Sequence, residues 1–126
     1  MNILGNLIWL LLGGIVIAVE YFIGSIILMI TVVGIPFGLQ TLKMGSLSSW
    51  PFGRTSVVHS RASGCLYIIM NLLWLLCGGI WISLTHALLG LLLSVTIVGI
   101  PFGIQHFKLT EIALNPFGRD IVRIKN

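Results

Sequence analysis

Between Cys65 and Phe107 the chain carries no Asp, Glu, Lys or Arg, and between Ile3 and Leu42 only Glu20 breaks an equally long uncharged run. Each block holds roughly 40 residues, about twice the 18–20 apolar residues that one spanning helix needs. Charged residues make up 8% of the chain and hydrophobic ones 57%, against about 25% and 45–50% in a soluble domain. Too few polar groups remain to coat a water-facing surface, so the solvent for this chain is a bilayer. Its 126 residues are enough for one compact unit and little more.

All seven basic residues, Lys43, Arg54, Arg61, Lys108, Arg119, Arg123 and Lys125, lie outside the apolar cores. That pattern is membrane-flank patterning, and it turns the net charge of +4 away from nucleic acid as a partner. Cys65 and Cys77 have neither C-x-x-C spacing nor a nearby His pair and read as packing residues. No Lys or Arg precedes the first apolar stretch, and the same pattern returns in mid-chain, so it reads as a retained segment and not a cleaved signal.

An internal repeat organises the whole sequence. A slide of 65 positions aligns Asn6-Leu7-Ile8-Trp9-Leu10 with Asn71-Leu72-Leu73-Trp74-Leu75. The same slide aligns Gly34-Ile35-Pro36-Phe37-Gly38 with Gly99-Ile100-Pro101-Phe102-Gly103, and Pro51-Phe52-Gly53-Arg54 with Pro116-Phe117-Gly118-Arg119. The chain therefore divides into membrane repeats at 1–62 and 63–126.

Charge then predicts topology. If Lys43, Arg54 and Arg61 are cytoplasmic, so are Lys108, Arg119, Arg123 and Lys125, and the block between them crosses an even number of times. A continuous helix of roughly 40 residues would be about 60 Å long, twice the hydrocarbon thickness, so each block is expected to fold as a hairpin. Tips near Glu20-Tyr21 and Thr85-His86 would place the polar residues of the blocks in water; the alternative turns at Gly13-Gly14 and Gly78-Gly79 and leaves a re-entrant first element. The expected fold is an all-α membrane protein of two tandem parallel repeats with both termini cytoplasmic. Each repeat would be a transmembrane helical hairpin plus an interfacial helix and a short extramembrane strand, and the repeats would be related by an axis along the membrane normal.

Gly34, Pro36 and Gly38, with Gly99, Pro101 and Gly103, combine GxxxG spacing with a proline that interrupts the helical ladder. They are candidates for a structural hinge, or for a constriction lined by freed carbonyls. Leu39–Met44 and Ile104–Leu109 mix apolar and polar residues at helical spacing and are expected to form the interfacial helices. Pro51-Phe52-Gly53-Arg54 suits a type I turn with proline second and glycine last, hence starting at Trp50, followed by strand formers at Thr55–Val58 and their copy Asp120–Ile124. Asn6 and Asn71 suit capping or helix bridging. Glu20, an ionisable group inside a membrane block, is the sharpest functional candidate. With Thr85 at its counterpart position and His86 beside that, it forms a candidate pore mouth, with Lys43 and Lys108 as inner-side charges. His86 and His106 match no metal spacing, and neither metal nor cofactor is expected.

The repeated Gly-Ile-Pro-Phe-Gly, the Asn-Leu-x-Trp-Leu element with its Gly-Gly pair and the Pro-Phe-Gly-Arg turn resemble the YccF family of small bacterial inner-membrane proteins, over nearly the whole chain. The resemblance implies a bacterial inner-membrane location and brings no catalytic residues with it.

Three acids and three histidines are scattered, without a carboxylate pair, activated nucleophile or phosphate loop, so no enzyme is expected. The sequence points to a homo-oligomer in the lipid bilayer forming a passive pore or ion channel. The alternative is a non-conducting scaffold or accessory subunit whose basic flanks contact anionic lipid.

Overall fold

The computed structural model describes residues 2–30, 32, 34–58 and 64–123. Arg61, Lys125, Ile124 and the Thr31 and Val33 positions of the first repeat lie outside them. Helices α1 (Asn2–Trp9), α2 (Ile15–Leu28) and α3 (Gly34–Ser49) are followed by strand β1 (Arg54–Val58). Helices α4 (Cys65–Trp74), α5 (Ile80–Ser94) and α6 (Ile100–Leu114) and strand β2 (Arg119–Arg123) repeat that order. Widened helical turns at Leu10–Gly14 and Leu75–Gly79 join α1 to α2 and α4 to α5.

Three- and four-residue spacing decides which face of each helix turns inward. In α2, Ile17, Tyr21, Gly24, Ser25 and Leu28 are buried, while Val16, Val19, Phe22, Ile23, Ile26 and Ile27 are exposed. In α5, Ile82, Ser83, His86 and Gly90 are buried, with Leu84, Leu88, Leu91 and Leu92 outside. A soluble monomer rarely exposes apolar surface so continuously. Ile3–Leu28 (26 residues) and Cys65–Ser94 (30 residues) are long and apolar enough to cross a bilayer; at 1.5 Å per residue even the shorter measures about 39 Å.

The hairpins turn elsewhere than the sequence suggested. Glu20 and Tyr21 lie in the middle of α2, and Thr85 and His86 in the middle of α5. Along the first hairpin, Gly38 packs on Met29, Ser25 Oγ meets Thr41 Oγ1 at 2.5 Å and Gly45 faces Tyr21, so α3 returns antiparallel along α2. Gly103 against Ser94 and Gly90 against Phe107 make the same arrangement of α5 and α6. Reversal thus falls before Pro36 and Pro101. In the first turn of a helix a proline has no amide bond to lose, so a new helix starts there at little cost. The stretches expected as separate interfacial helices are the return arms of these hairpins. The Gly-Gly alternative holds only as a kink: Gly13 has φ +130 and Leu12 is non-helical, whereas the Leu75–Gly79 turn keeps helical angles.

The two halves pack with their helices antiparallel about a pseudo-twofold axis. From the turn before α2 onward, Gly13 faces Leu89, Glu20 faces Thr85 and Gly24 faces Gly78, so partners descend as positions rise. Phe37 meets Phe117 edge-on at 5.3 Å and Phe102 meets Phe52 at 5.5 Å, which sets the start of each return helix beside the end of the other. The strands agree: Ser56 is opposite Ile121, Arg54 opposite Arg123 and Val58 opposite Arg119 in an antiparallel pair. A single pseudo-twofold axis therefore runs from Glu20 and Thr85 through the return helices to Ser56 and Ile121, across the helices and not along them.

Each repeat anchors its own corner. Trp9 Nε1 donates to Ser48 O at 2.7 Å and its counterpart Trp74 Nε1 to Ala113 O at 2.8 Å, yet the rings cross the seam, Trp9 onto His106 and Trp74 onto Tyr21. The turn into β1 begins one residue later than a type I turn at Trp50 would require. Arg54 N donates to Pro51 O at 3.2 Å, and Gly53 has φ +90, the positive angle that a type II turn places at its third residue.

Candidate functional site

Among the described residues, the titratable and polar groups gather in three places. The first is the seam where α2 crosses α5. Thr85 Oγ1 donates to Glu20 Oε2 at 2.9 Å, while Glu20 Oε1 is buried and unpartnered. Beside it lies a cavity of about 120 Å³ lined by Ile23, Gly24, Cys77, Gly78 and Trp81. Glu20 and Thr85 are thus brought together, as their equivalent repeat positions allow, but His86 turns away into the core.

The second place is that core. His86 Nδ1 and His106 Nδ1 are 2.9 Å apart, and both residues are fully buried. His106 Nε2 points to Leu12 O at 3.4 Å. A carbonyl only accepts, so His106 carries its proton on Nε2 and accepts at Nδ1 from His86 Nδ1–H. His86 Nε2 is then the acceptor nitrogen, buried and without a partner. Sequence spacing gave no hint of this pair, because the two rings meet only through the α5–α6 hairpin.

The Gly-Ile-Pro-Phe-Gly segments sit at the hairpin tips and pack closed. A Cβ on Gly38 would strike Met29, one on Gly99 would strike Leu93 O, and one on Gly103 would come within 2.7 Å of Gly90 O. Gly34 and Pro36, with Pro101, open the return helices.

The strand side is the third place. Lys43 Nζ pairs with Asp120 Oδ1 at 3.1 Å, and Gln40 Nε2 donates to Pro116 O and Arg119 O at 3.1 and 2.7 Å. Arg119, 7% exposed, donates through Nε to Asn115 O and through Nη1 to Ser56 Oγ, and its Nη2 lies 3.6 Å from Glu111. Arg54 donates to Trp50 O and Ser46 O. Burial, and Arg123 opposite, lower the pKa of Arg54. Lys108 lines a cavity of about 280 Å³ together with Arg54, Thr55, Gln105, Glu111 and Arg119. Of these residues the sequence singled out Lys43 and Lys108 as site charges. Arg54, Arg119 and Asp120 were visible there only as turn and strand residues, and nothing local announced Gln40.

Small polar groups buried between apolar, outward-facing helices in two like halves define a helical membrane protein built from an internal duplication. The chain belongs to the YccF family: the model of its inner membrane component domain matches residues 4–54 and again 69–119. The inner membrane proteins YccF of Escherichia coli (strain K12) and Shigella flexneri are each 26% identical to it over 128 aligned residues, covering 95% of this chain and 86% of theirs. No solved structure matches. Family membership places the protein in the inner membrane.

Proposed function

We propose that the protein is a non-catalytic, homo-oligomeric passive pore, in which copies meet through their strand sides and ions pass between them. The observation that carries this reading is the position of the charges. Lys43, Arg54, Lys108 and Arg119 lie along one side, at the level where the antiparallel hairpins pass each other, while the rest of the perimeter is apolar. With the hairpins upright, each such charge facing lipid costs about 2.5–3.5 kcal/mol. Lys43 is paired with Asp120 and Arg119 is buried, so Arg54 and Lys108 carry that cost, roughly 5–7 kcal/mol against the roughly 5–15 kcal/mol that holds a domain folded. Upright hairpins therefore require the strand side to face water or another copy, and a shared water-filled passage meets that demand. The excess of basic groups favours anions. Asn6 bonds to Phe52 O, two residues before Arg54, which stands opposite Arg123 in the strand pair; both termini are cytoplasmic in this reading.

A second reading, a non-conducting scaffold or accessory subunit, draws on the same segregation. Among the described residues Glu20 is the one charged group on the side away from the strands. A chain lying flat in one leaflet, strands in the headgroups, would satisfy every other charge without a partner copy. Planar-bilayer recording of purified protein separates the two, alongside Glu20→Gln and the Lys43→Gln, Lys108→Gln pair. Unitary anion-selective currents that weaken in the lysine pair support the pore. Silence from folded protein that stays monomeric in lipid rejects the pore in favour of the scaffold.

A further inference from the structure

The pseudo-twofold axis makes the two strand corners comparable, and they are not filled alike. In the first corner Lys43 holds the carboxylate of Asp120, and Gln40 ties down the Pro116 and Arg119 carbonyls. The counterparts 65 positions away are Lys108 for Lys43, Gln105 for Gln40 and Thr55 for Asp120. Thr55 brings no charge. Where the first corner is closed by a carboxylate, the second contains the 280 Å³ cavity, lined by Gln105, Lys108 and Thr55 together with Arg54, Arg119 and Glu111.

We propose that this cavity is a binding site for a phosphate-type anion, held by Lys108, Arg54 and Arg119. The molecule provides its own precedent, since Asp120 shows that an oxyanion is accommodated at the equivalent lysine. Three cations face one carboxylate in the lining; that carboxylate, Glu111, lies 3.6 Å from Arg119 but is 81% exposed, so solvent screens the pair and it neutralises little. Among the described residues no carboxylate is paired with Lys108. Arg119 is 7% exposed and fixed by Asn115 O and Ser56 Oγ, which pre-orders its guanidinium for an anion. Next to it, β1 sets Arg54 directly opposite Arg123, a like-charge pair that gains from a bound anion. The volume lies just below the roughly 300–1,000 Å³ of pockets for drug-sized ligands, which suits a phosphate with a small substituent. The proposal holds whether the strand side faces a lumen or the headgroups.

The test uses the full chain in nanodiscs. Inorganic phosphate is titrated in phosphatidylcholine discs and followed by ³¹P line broadening; in a separate arm, retained phosphatidylglycerol is counted by native mass spectrometry. Saturable, one-to-one binding is expected in at least one arm. Binding of inorganic phosphate identifies a soluble anion, and retention of phosphatidylglycerol alone identifies a lipid headgroup. Lys108→Gln should weaken binding at least tenfold, whereas Lys43→Gln should leave it within twofold. Thr55→Asp recreates the first corner in the second; it should abolish binding and raise the melting temperature of the unliganded protein. No saturable binding of either probe by wild-type protein overturns the proposal, as does binding that survives both Lys108→Gln and Thr55→Asp in variants whose circular dichroism matches wild type.

Discussion

Thr85 donates its hydroxyl hydrogen to Glu20 across 2.9 Å, and the two residues occupy the same position in the two repeats, 65 residues apart. A residue that touches its own repeat counterpart lies on the symmetry axis. Only one end of this pair is ionisable, so the duplication has diverged at its own centre.

Thr85→Val should destabilise the folded protein by about 0.6–2 kcal/mol, the range of hydrogen bonds between membrane helices. Glu20→Gln keeps an acceptor for Thr85 and should cost less, while Thr85→Glu sets two carboxylates face to face and should cost most. Unfolding in mixed micelles ranks the three; a Thr85→Val variant as stable as wild type would remove the bond from the account of the seam.

Trp9 and Trp74 are both 0% exposed and each gives its indole N–H to a carbonyl of its own return helix. Trp→Phe at either position leaves that carbonyl unsatisfied and should cost about 1–3 kcal/mol. Both losses should have this sign; the hydrogen bonds are copies, while the rings rest on different partners, His106 for Trp9 and Tyr21 for Trp74. Chemical unfolding monitored by far-ultraviolet circular dichroism measures both.

Glycines at the hairpin contact should tolerate no side chain. Gly103→Ala drives a methyl to 2.7 Å from the Gly90 carbonyl and into Ser94 Oγ, and should cost about 1–3 kcal/mol by overpacking. Gly5→Ala meets Phe52 at an ordinary 3.6 Å and should be neutral or stabilising by up to about 1 kcal/mol, the helix-propensity gain. Melting temperatures of the two variants should move apart.

The relative direction of the halves is testable by crosslinking. Arg54 is directly opposite Arg123, whereas Val58 is opposite Arg119, so Val58 and Arg123 are offset by four residues, about 13 Å. In a background of Cys65→Ser and Cys77→Ala, Arg54→Cys with Arg123→Cys should oxidise to an intrachain disulfide and Val58→Cys with Arg123→Cys should not. Parallel strands would give the reverse, a result read directly from gel mobility.

The sequence by itself determined the solvent, the duplication and its 65-residue spacing, the Pro-Phe-Gly-Arg turns and the strands after them, because composition, repetition and local backbone chemistry act within a few residues. It misplaced the hairpin tips. Glu20 and Thr85 were expected in water at a loop, but a carboxylate bonded to a hydroxyl is also tolerable inside a helix–helix seam, and only packing distinguishes the two. The tertiary structure alone decided that the halves run antiparallel. Two like units satisfy similar internal contacts in either orientation, and what selects one is the fit across the seam: Trp9 on His106, Trp74 on Tyr21, Phe37 on Phe117. It also decided that Lys43 is neutralised and Lys108 is not, a difference carried by Asp120 and Thr55, each 77 or 53 positions from the lysine it serves in the fold.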